Sequence, residues 1–364
     1  MIYLKTPKPK TRNPKPKTSM THEIKKIIQD YLHAGHLGLQ CVMATVVDLD
    51  GSSYRRPGVR MLINEQGQMT GAVSGGCVEK EILKQSHSVF ASGEPKMMTY
   101  DGRYRLGCEG TLYILIERFA PSEALLRSFQ LSLTKRTSFE IHSYFSKTAG
   151  VAGDWGSEFL FQDGAAYSFN ENLKSMPSAK TGTSVFKQKL VPCFRLMIIG
   201  AEHDAAELSA MAASLGWEVS IVVSPSNPQE LHDFPGADEL IRKNAEELNT
   251  QNIDKQMAII LMTHSYVKDL EHLYVLKDTQ PAYIGLLGPS NRRERMLNDL
   301  IEKFPGLDES VFDLIFGPAG LNIGAETPQE IALSICAEIL SVIRRQEPKS
   351  LKDKLGSIHL NVKP

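Results

Sequence analysis

A chain of 364 residues is long enough for about two domains, and its 42% hydrophobic and 23% charged residues exclude a disordered, coiled-coil or collagen-like protein. Lys+Arg 41 against Asp+Glu 42 leaves a net charge of −1, so no bulk field draws the chain to nucleic acid or anionic lipid. The longest apolar run, Met257 to Met262, is far too short for a membrane helix. Five cysteines, odd in number and irregularly spaced, exclude a disulfide scaffold and point to free thiols in a reducing cytoplasm.

Residues 1–19 carry six basic residues and no acidic one, leaving 35 basic against 42 acidic beyond them. Alternating Pro and Lys builds neither helix nor core, so this segment reads as a disordered basic tail, with Met20 as an alternative start. Ile24, Ile27, Ile28, Tyr31 and Leu32 then repeat at helical spacing. Cys41 to Val47 has the pattern of a buried strand. Met61–Ile63, a Gly67 turn and Met69–Val73 read as a hairpin. A helix is predicted over 77–91, a strand over 112–116, then a helix and turn-rich strands around Phe139, Tyr144, Phe159 and Tyr167. Lys180 to Ser184 is small and polar, a candidate linker.

Beyond it, strands are predicted at 196–199, 219–223, 257–262 and 283–287, with helices near 204–215, 238–248, 269–277 and 291–303. Such alternation means a doubly wound, mostly parallel sheet. The last helix opens with Thr327 as N-cap, Pro328 and Glu330, a capping box, and its stripe is Ile331, Ile335, Ile339 and Ile343. The expected organisation is α/β throughout: tail 1–19, a mixed α+β domain 20–190, a doubly wound domain 191–346 and a polar tail 347–364.

Five clusters carry residues suited to chemistry. In Ser74-Gly75-Gly76-Cys77-Val78-Glu79, two glycines free backbone amides to cradle an anion or oxo group. Cys77 falls at a helix start, where the dipole favours thiolate. It reads as a nucleophile, sulfur carrier or soft-metal ligand, or as a small buried residue in a tight turn. Gly107-Cys108-Glu109-Gly110 places a second thiol in a glycine-framed loop, or a plain turn cysteine. With no C-x-x-C, no structural zinc site is predicted. Gly51-Ser52-Ser53-Tyr54-Arg55-Arg56-Pro57-Gly58 offers hydroxyls and two guanidinium forks for phosphate or carboxylate, or a solvated basic turn. Gly200-Ala201-Glu202-His203 stands where a dinucleotide fingerprint belongs, but Glu202 and Ala205 replace glycines, and Val223 stands where a ribose-binding acid is expected. Finally, His264, Ser290, Arg292 and Glu326 lie at later strand ends, where open α/β sheets bind ligands and a helix start suits phosphate.

Taken in order, Gly51 to Gly58, Val73 to Glu79, Tyr283 to Gly288 and Gly320 to Ala332 resemble the xanthine dehydrogenase accessory protein family (XdhC/CoxI), over roughly residues 22 to 345. The resemblance implies a smaller N-terminal domain, a C-terminal Rossmann-like domain, and homodimers. It implies transient binding of molybdenum cofactor, as molybdopterin or its dinucleotide, during sulfuration and insertion into a xanthine dehydrogenase-like molybdoenzyme. The protein is then an accessory factor rather than a catalyst, with a cysteine desulfurase as a further candidate partner. On this reading Cys77 and Cys108 face the molybdenum or sulfur centre, and the Gly75 and Gly76 amides hold oxo groups. The pterin phosphate docks on a basic loop or helix start. The family pattern has Cys-Gly-Gly where this chain has Cys108-Glu109-Gly110, and Gly-x-Gly-His where it has Gly200-Ala201-Glu202-His203. Two further readings stay open: an NAD(P)-dependent oxidoreductase and a docking module that holds no cofactor.

Overall fold

In the computed structural model, residues 21–51, 56–74, 76–101, 110–147, 155–173 and 183–353 are described, with Cys77 described by its backbone alone. The tail 1–19 and the last eleven residues, 354–364, lie outside them. The chain divides after Cys193 into two compact units.

In the first unit, β1 (Cys41–Asp50) lies at the centre of a sheet ordered β3-β2-β1-β5-β4, with β2 (Arg60–Asn64), β3 (Met69–Gly71), β4 (Lys96–Asp101) and β5 (Thr111–Arg118). Every pairing in it is antiparallel. The strand reads as one apolar run because both faces are covered. Val42, Ala44 and Val46 pack with Val78, Ile82 and Val89 of α2 (Cys77–Ser92). Cys41 and Met43 point the other way, into a core shared with Ile24, Ile27 and Ile28 of α1 (Thr21–His36) and with Leu125 and Phe129 of α3 (Glu123–Thr134). Leu32, expected on the buried face of α1, is 43% exposed. A second antiparallel sheet, β8-β7-β6-β9, holds β6 (Phe139–Phe145), β7 (Gly156–Leu160), β8 (Ala166–Ser168) and β9 (Ser184–Leu190). Ser184, expected in a linker, instead opens β9, which pairs with β6 from Ser184 to Leu190. Residues 180–182 of that candidate linker lie outside the described residues.

A buried polar network joins the two sheets of this unit. Glu117 of β5 accepts from the Ser157 amide (2.8 Å) and hydroxyl (2.6 Å) of β7. Arg60 of β2 donates to the Gly58 carbonyl and to Gln188 of β9. Burial pushes the Glu117 carboxyl up to about 7, against the pull of Ser157 and the Arg60 charge. Burial likewise lowers the Arg60 guanidinium to about 10, opposed by Glu117 and Glu23. A carboxyl raised above its unfolded value stabilises the fold fully below about pH 4.5, and that contribution is lost as pH rises through about 7. Stability is therefore expected to fall by roughly 3 kcal/mol over that window. Urea midpoints at pH 5 and pH 8 measure it, and Glu117→Gln should flatten the difference.

The second unit is a six-stranded sheet in the order β12-β11-β10-β13-β14-β15, parallel throughout. Its strands are β10 (Arg195–Ile199), β11 (Glu218–Val223), β12 (Glu239–Arg242), β13 (Met257–Leu261), β14 (Tyr283–Leu286) and β15 (Ile315–Phe316). Counted within the unit this is the order 3-2-1-4-5-6 of doubly wound folds, and it reverses between β10 and β13. The helix expected at 238–248 is instead the strand β12 followed by a single 3₁₀ turn at Ala245–Glu247. The other helices are α4 (His203–Ser214), α5 (Tyr266–Leu276), α6 (Ser290–Lys303) and α7 (Pro328–Arg344). In α7, Thr327 accepts from the Glu330 amide and Glu330 reaches back to the Thr327 amide, as the capping box requires. Ile335 and Ile339 are fully buried against α4, and Ile331 and Ile343 pack at the margin of the same core. Among the described residues no helix is long and apolar enough to cross a membrane.

Candidate functional site

Strand pairing delivers three of the sequence motifs to one edge of the first sheet. Thr45 of β1 pairs with Arg60 at the start of β2, and Met61 beside it pairs with Gly71 at the end of β3. Asp50 at the end of β1 and Asp101 at the end of β4 both face Thr111 at the start of β5. The segments 51–59, 72–76 and 102–110 are thus attached to strand ends at the same edge.

The second of these is braced from within. Cys77 is the first residue of α2, so the expected helix-start position of its backbone is found. Gly76 before it has φ +121° with open space where a Cβ would sit. Val73 anchors the loop in the core. Glu79 accepts from the amides of Val73 (3.0 Å), Ser74 (2.5 Å) and Gly76 (2.8 Å), and from the Ser74 hydroxyl (2.7 Å). Burial raises the Glu79 carboxyl, but the hydrogen bonds from Ser74 and the backbone outweigh it and hold it below the ordinary glutamate range. The Gly76 amide, expected to cradle a guest's oxo group, is therefore donated to Glu79. Ser74 and Glu79, expected to touch a cofactor, hold each other and shape the loop. Ser52, Ser53, Arg55, Gly75, Cys108 and the Cys77 side chain lie outside the described residues, and Arg56 is exposed at the end of its loop.

The same edge carries a charged group that the sequence motifs do not announce. Lys147 Nζ lies 3.0 Å from Asp48 and 3.2 Å from Asp50, and 4.5 Å from the centre of the Tyr113 ring. Tyr113 donates to Asp50 at 2.8 Å, the main cause that lowers the Asp50 carboxyl. The one sequence signal for it is that the apolar run of β1 ends in two alternate acids. Cys41, Cys193 and Cys336 are buried, and burial pushes Cys41 up to about 11 and Cys336 to about 12. The Cys41 and Cys336 thiols, so placed, stay protonated and inert.

In the second unit, a parallel sheet puts every β-to-α turn at its C-terminal edge, so Gly200, His203, His264, Ser290, Arg292 and Glu326 share that edge. Gly200 has φ +143°, and a Cβ there would lie 2.4 Å from the Met262 carbonyl oxygen on the neighbouring strand's exit. His264 holds φ +56°, with Nε2 3.7 Å from Asp204 at the start of α4. His203 is exposed and 3.9 Å from Glu207. Arg292, expected on a phosphate, donates at 2.5 Å to buried Asp269, which also accepts from the Thr263 amide and hydroxyl. Ser290 opens α6 and is exposed, and Glu326 donates its amide to Glu330. Glu202 is the N-cap residue of α4 and makes no capping bond with its side chain. A cavity of about 140 Å³ opens at the reversal point, lined among others by Gly200, Glu202, Val223, Lys243, Thr263 and His272. Among the described residues no three His, Cys, Asp or Glu side chains gather as metal ligands.

These features define a chain of two units, an antiparallel one with a glycine-framed cysteine at a helix start and a Rossmann-type one with an altered first turn. Residues 36–101 match the XdhC and CoxI family, and residues 196–339 match the XdhC Rossmann domain. The chain is 30% identical to a probable xanthine dehydrogenase component of Bacillus subtilis, over 84% of this chain and 94% of that one. It is 25% identical to the Escherichia coli "Molybdenum cofactor insertion chaperone PaoD", over 91% and 92% respectively. A crystal structure described as a xanthine dehydrogenase from Bacillus halodurans superposes with a TM-score of 0.72 at 27% identity, covering 89% of this chain and 96% of that one. The chain belongs to the XdhC and CoxI family.

Proposed function

We propose that the protein is an accessory factor that receives molybdenum cofactor as cargo and passes it to an apo-molybdoenzyme of the xanthine dehydrogenase type. The carrying observation is the convergence of three loop-bearing strand ends at one sheet edge, with the Cys77 backbone at the first turn of α2. A thiolate there is favoured by the helix dipole, and its softness suits molybdenum or sulfur. The names of the two relatives, one a xanthine dehydrogenase component and the other a cofactor insertion chaperone, support the same cargo and client class.

In this reading the cargo, in molybdopterin or dinucleotide form, is held transiently by residues 20–190, with Cys77 and Cys108 toward its metal and the 51–58 loop toward its phosphate. The protein works in the cytoplasm as a homodimer, and a cysteine desulfurase meets it when the cargo is sulfurated. The test is transfer in vitro. Apo-client is incubated anaerobically with free cofactor or with cofactor preloaded on the protein. Faster and fuller recovery of client activity with the preloaded protein is expected; equal recovery from free cofactor alone overturns the reading.

A further inference from the structure

The 51–58 loop joins two strands of the first sheet, yet each of its ends is held by a side chain from the second. At its entry, Asp50 closes β1. Lys147, two residues beyond the end of β6, reaches across with Nζ 3.2 Å from Asp50 and 3.0 Å from Asp48. Tyr113 of β5 donates to the same Asp50 carboxylate at 2.8 Å. The lysine charge is thus taken up by two carboxylates, both at one end of the loop.

At the exit, Gly58 is held three ways. Its amide donates to the Val46 carbonyl at 2.8 Å. Its carbonyl accepts from Arg60 Nη1 at 3.0 Å, and the same nitrogen donates to Gln188 of β9. Gln188 also packs on the glycine itself, where φ is +104° and a Cβ would lie 2.6 Å from Gln188 Nε2. β6 and β9, which carry the two grips, are paired neighbours. The second grip is one that stability alone does not favour. Arg60 is buried, and its Nε and Nη2 have no hydrogen-bond partner among the described residues. The Glu117 charge acts on Arg60, but both Glu117 oxygens accept from Ser157. A buried guanidinium so incompletely bonded costs free energy that an apolar side chain avoids. What it provides is the link from Gln188 to the Gly58 carbonyl.

We infer that Lys147 and Gln188 are positioning residues, which from adjacent strands of the second sheet fix the two ends of the 51–58 loop, at Asp50 and Gly58, for a phosphate group. The identity of the guest rests on the cargo reading of the loop. Neither side chain touches the guest. Lys147 acts through Asp50, and Gln188 acts through Arg60 and Gly58. A loop whose ends are already held loses less conformational freedom when it binds, so the guest is bound more tightly.

The test titrates the full chain with two probes, the metal-free oxidised pterin that keeps its phosphate and the same pterin after phosphatase treatment, read by pterin fluorescence. Wild type is expected to bind the phosphate form at least tenfold more tightly. Two variants should each weaken the phosphate form about tenfold and leave the dephosphorylated form unchanged. One is Lys147→Met, at a partly exposed position. The other is the paired change Arg60→Met with Gln188→Leu, which replaces both buried partners by apolar groups and so keeps the fold. Lys147→Arg and Gln188→Glu, which keep the grips, should bind like wild type. Asp50→Asn, which leaves Lys147 in place with one carboxylate fewer, should also weaken the phosphate form; a tighter complex would make the lysine a direct contact and overturn the inference. Wild-type binding of the phosphate form by Lys147→Met or by the paired variant, or equal loss of both probes, overturns the inference and leaves the cargo reading standing. Wild-type protein that binds neither probe overturns the cargo reading and the inference with it.

Discussion

Cys77→Ala is expected to reduce activation of the client molybdoenzyme to the level of cells lacking the protein, while the variant folds and accumulates normally. Its position gives the reason. The residue opens α2, where alanine is the best helix former, so the backbone has no cause to change. The loop before it is held by Glu79 through four hydrogen bonds that do not involve the cysteine. On the proposed role, what is lost is the helix-start thiol, and with it the cargo contact and hand-over that the proposal assigns to it. Cys336→Ala makes the contrast. Its thiol is buried in the second unit's core and pushed up to about 12, so that change should cost stability and leave client activation per folded molecule intact. Client activity and accumulated protein, measured side by side for both variants, separate the two effects.

Gly200→Ala is expected to destabilise the second unit by about 4 kcal/mol. The residue joins β10 to α4 at φ +143°, a conformation that L side chains rarely adopt. Its amide donates to the Val222 carbonyl, and the Met262 amide donates to the Ile199 carbonyl, so strands on either side fix the turn. A methyl group would press on the Met262 carbonyl oxygen at 2.4 Å and carbon at 2.7 Å, both backbone atoms with no rotamer to escape into. Gly35→Ala is the control. It lies in α1 with nothing within 4 Å of the new Cβ, and should be neutral or stabilising by up to about 1 kcal/mol. Urea unfolding of both variants reads the difference, and wild-type stability for Gly200→Ala would contradict the β10 turn described above.

Much of this architecture was legible because it follows local pattern. The capping box at Thr327, the parallel strands β10, β11, β13 and β14, and the Cys77 helix start are each written in a few adjacent residues. The errors have physical causes. Ala237, Leu240, Ile241, Ala245 and Leu248 recur at helical spacing, but β12 is an edge strand with Leu240 and Ile241 only half-buried, and tertiary pairing with β11 outweighs that periodicity. No element is predicted over β4, where Met97 and Met98 favour helix, and pairing with β5 makes the segment a strand. The site was legible as residue types and not as geometry. That the segments 51–59, 72–76 and 102–110 attach to one sheet edge depends on the order β3-β2-β1-β5-β4, which no single motif encodes. Glu79 and Arg292 looked like ligand contacts because carboxylate and guanidinium near a helix start suit ligands. Their partners, the Ser74 loop and Asp269, turn them inward.

The most direct measurement is the molybdenum and pterin content of the protein isolated anaerobically from cells that produce a molybdoenzyme, by metal analysis and by pterin fluorescence after oxidation. A cargo carrier should hold both in near-equal amounts, approaching one per chain when apo-client is withheld, and both should be missing from Cys77→Ala. Wild-type protein free of molybdenum and pterin under those conditions, or a Cys77→Ala variant that carries as much of both, would contradict the cargo role.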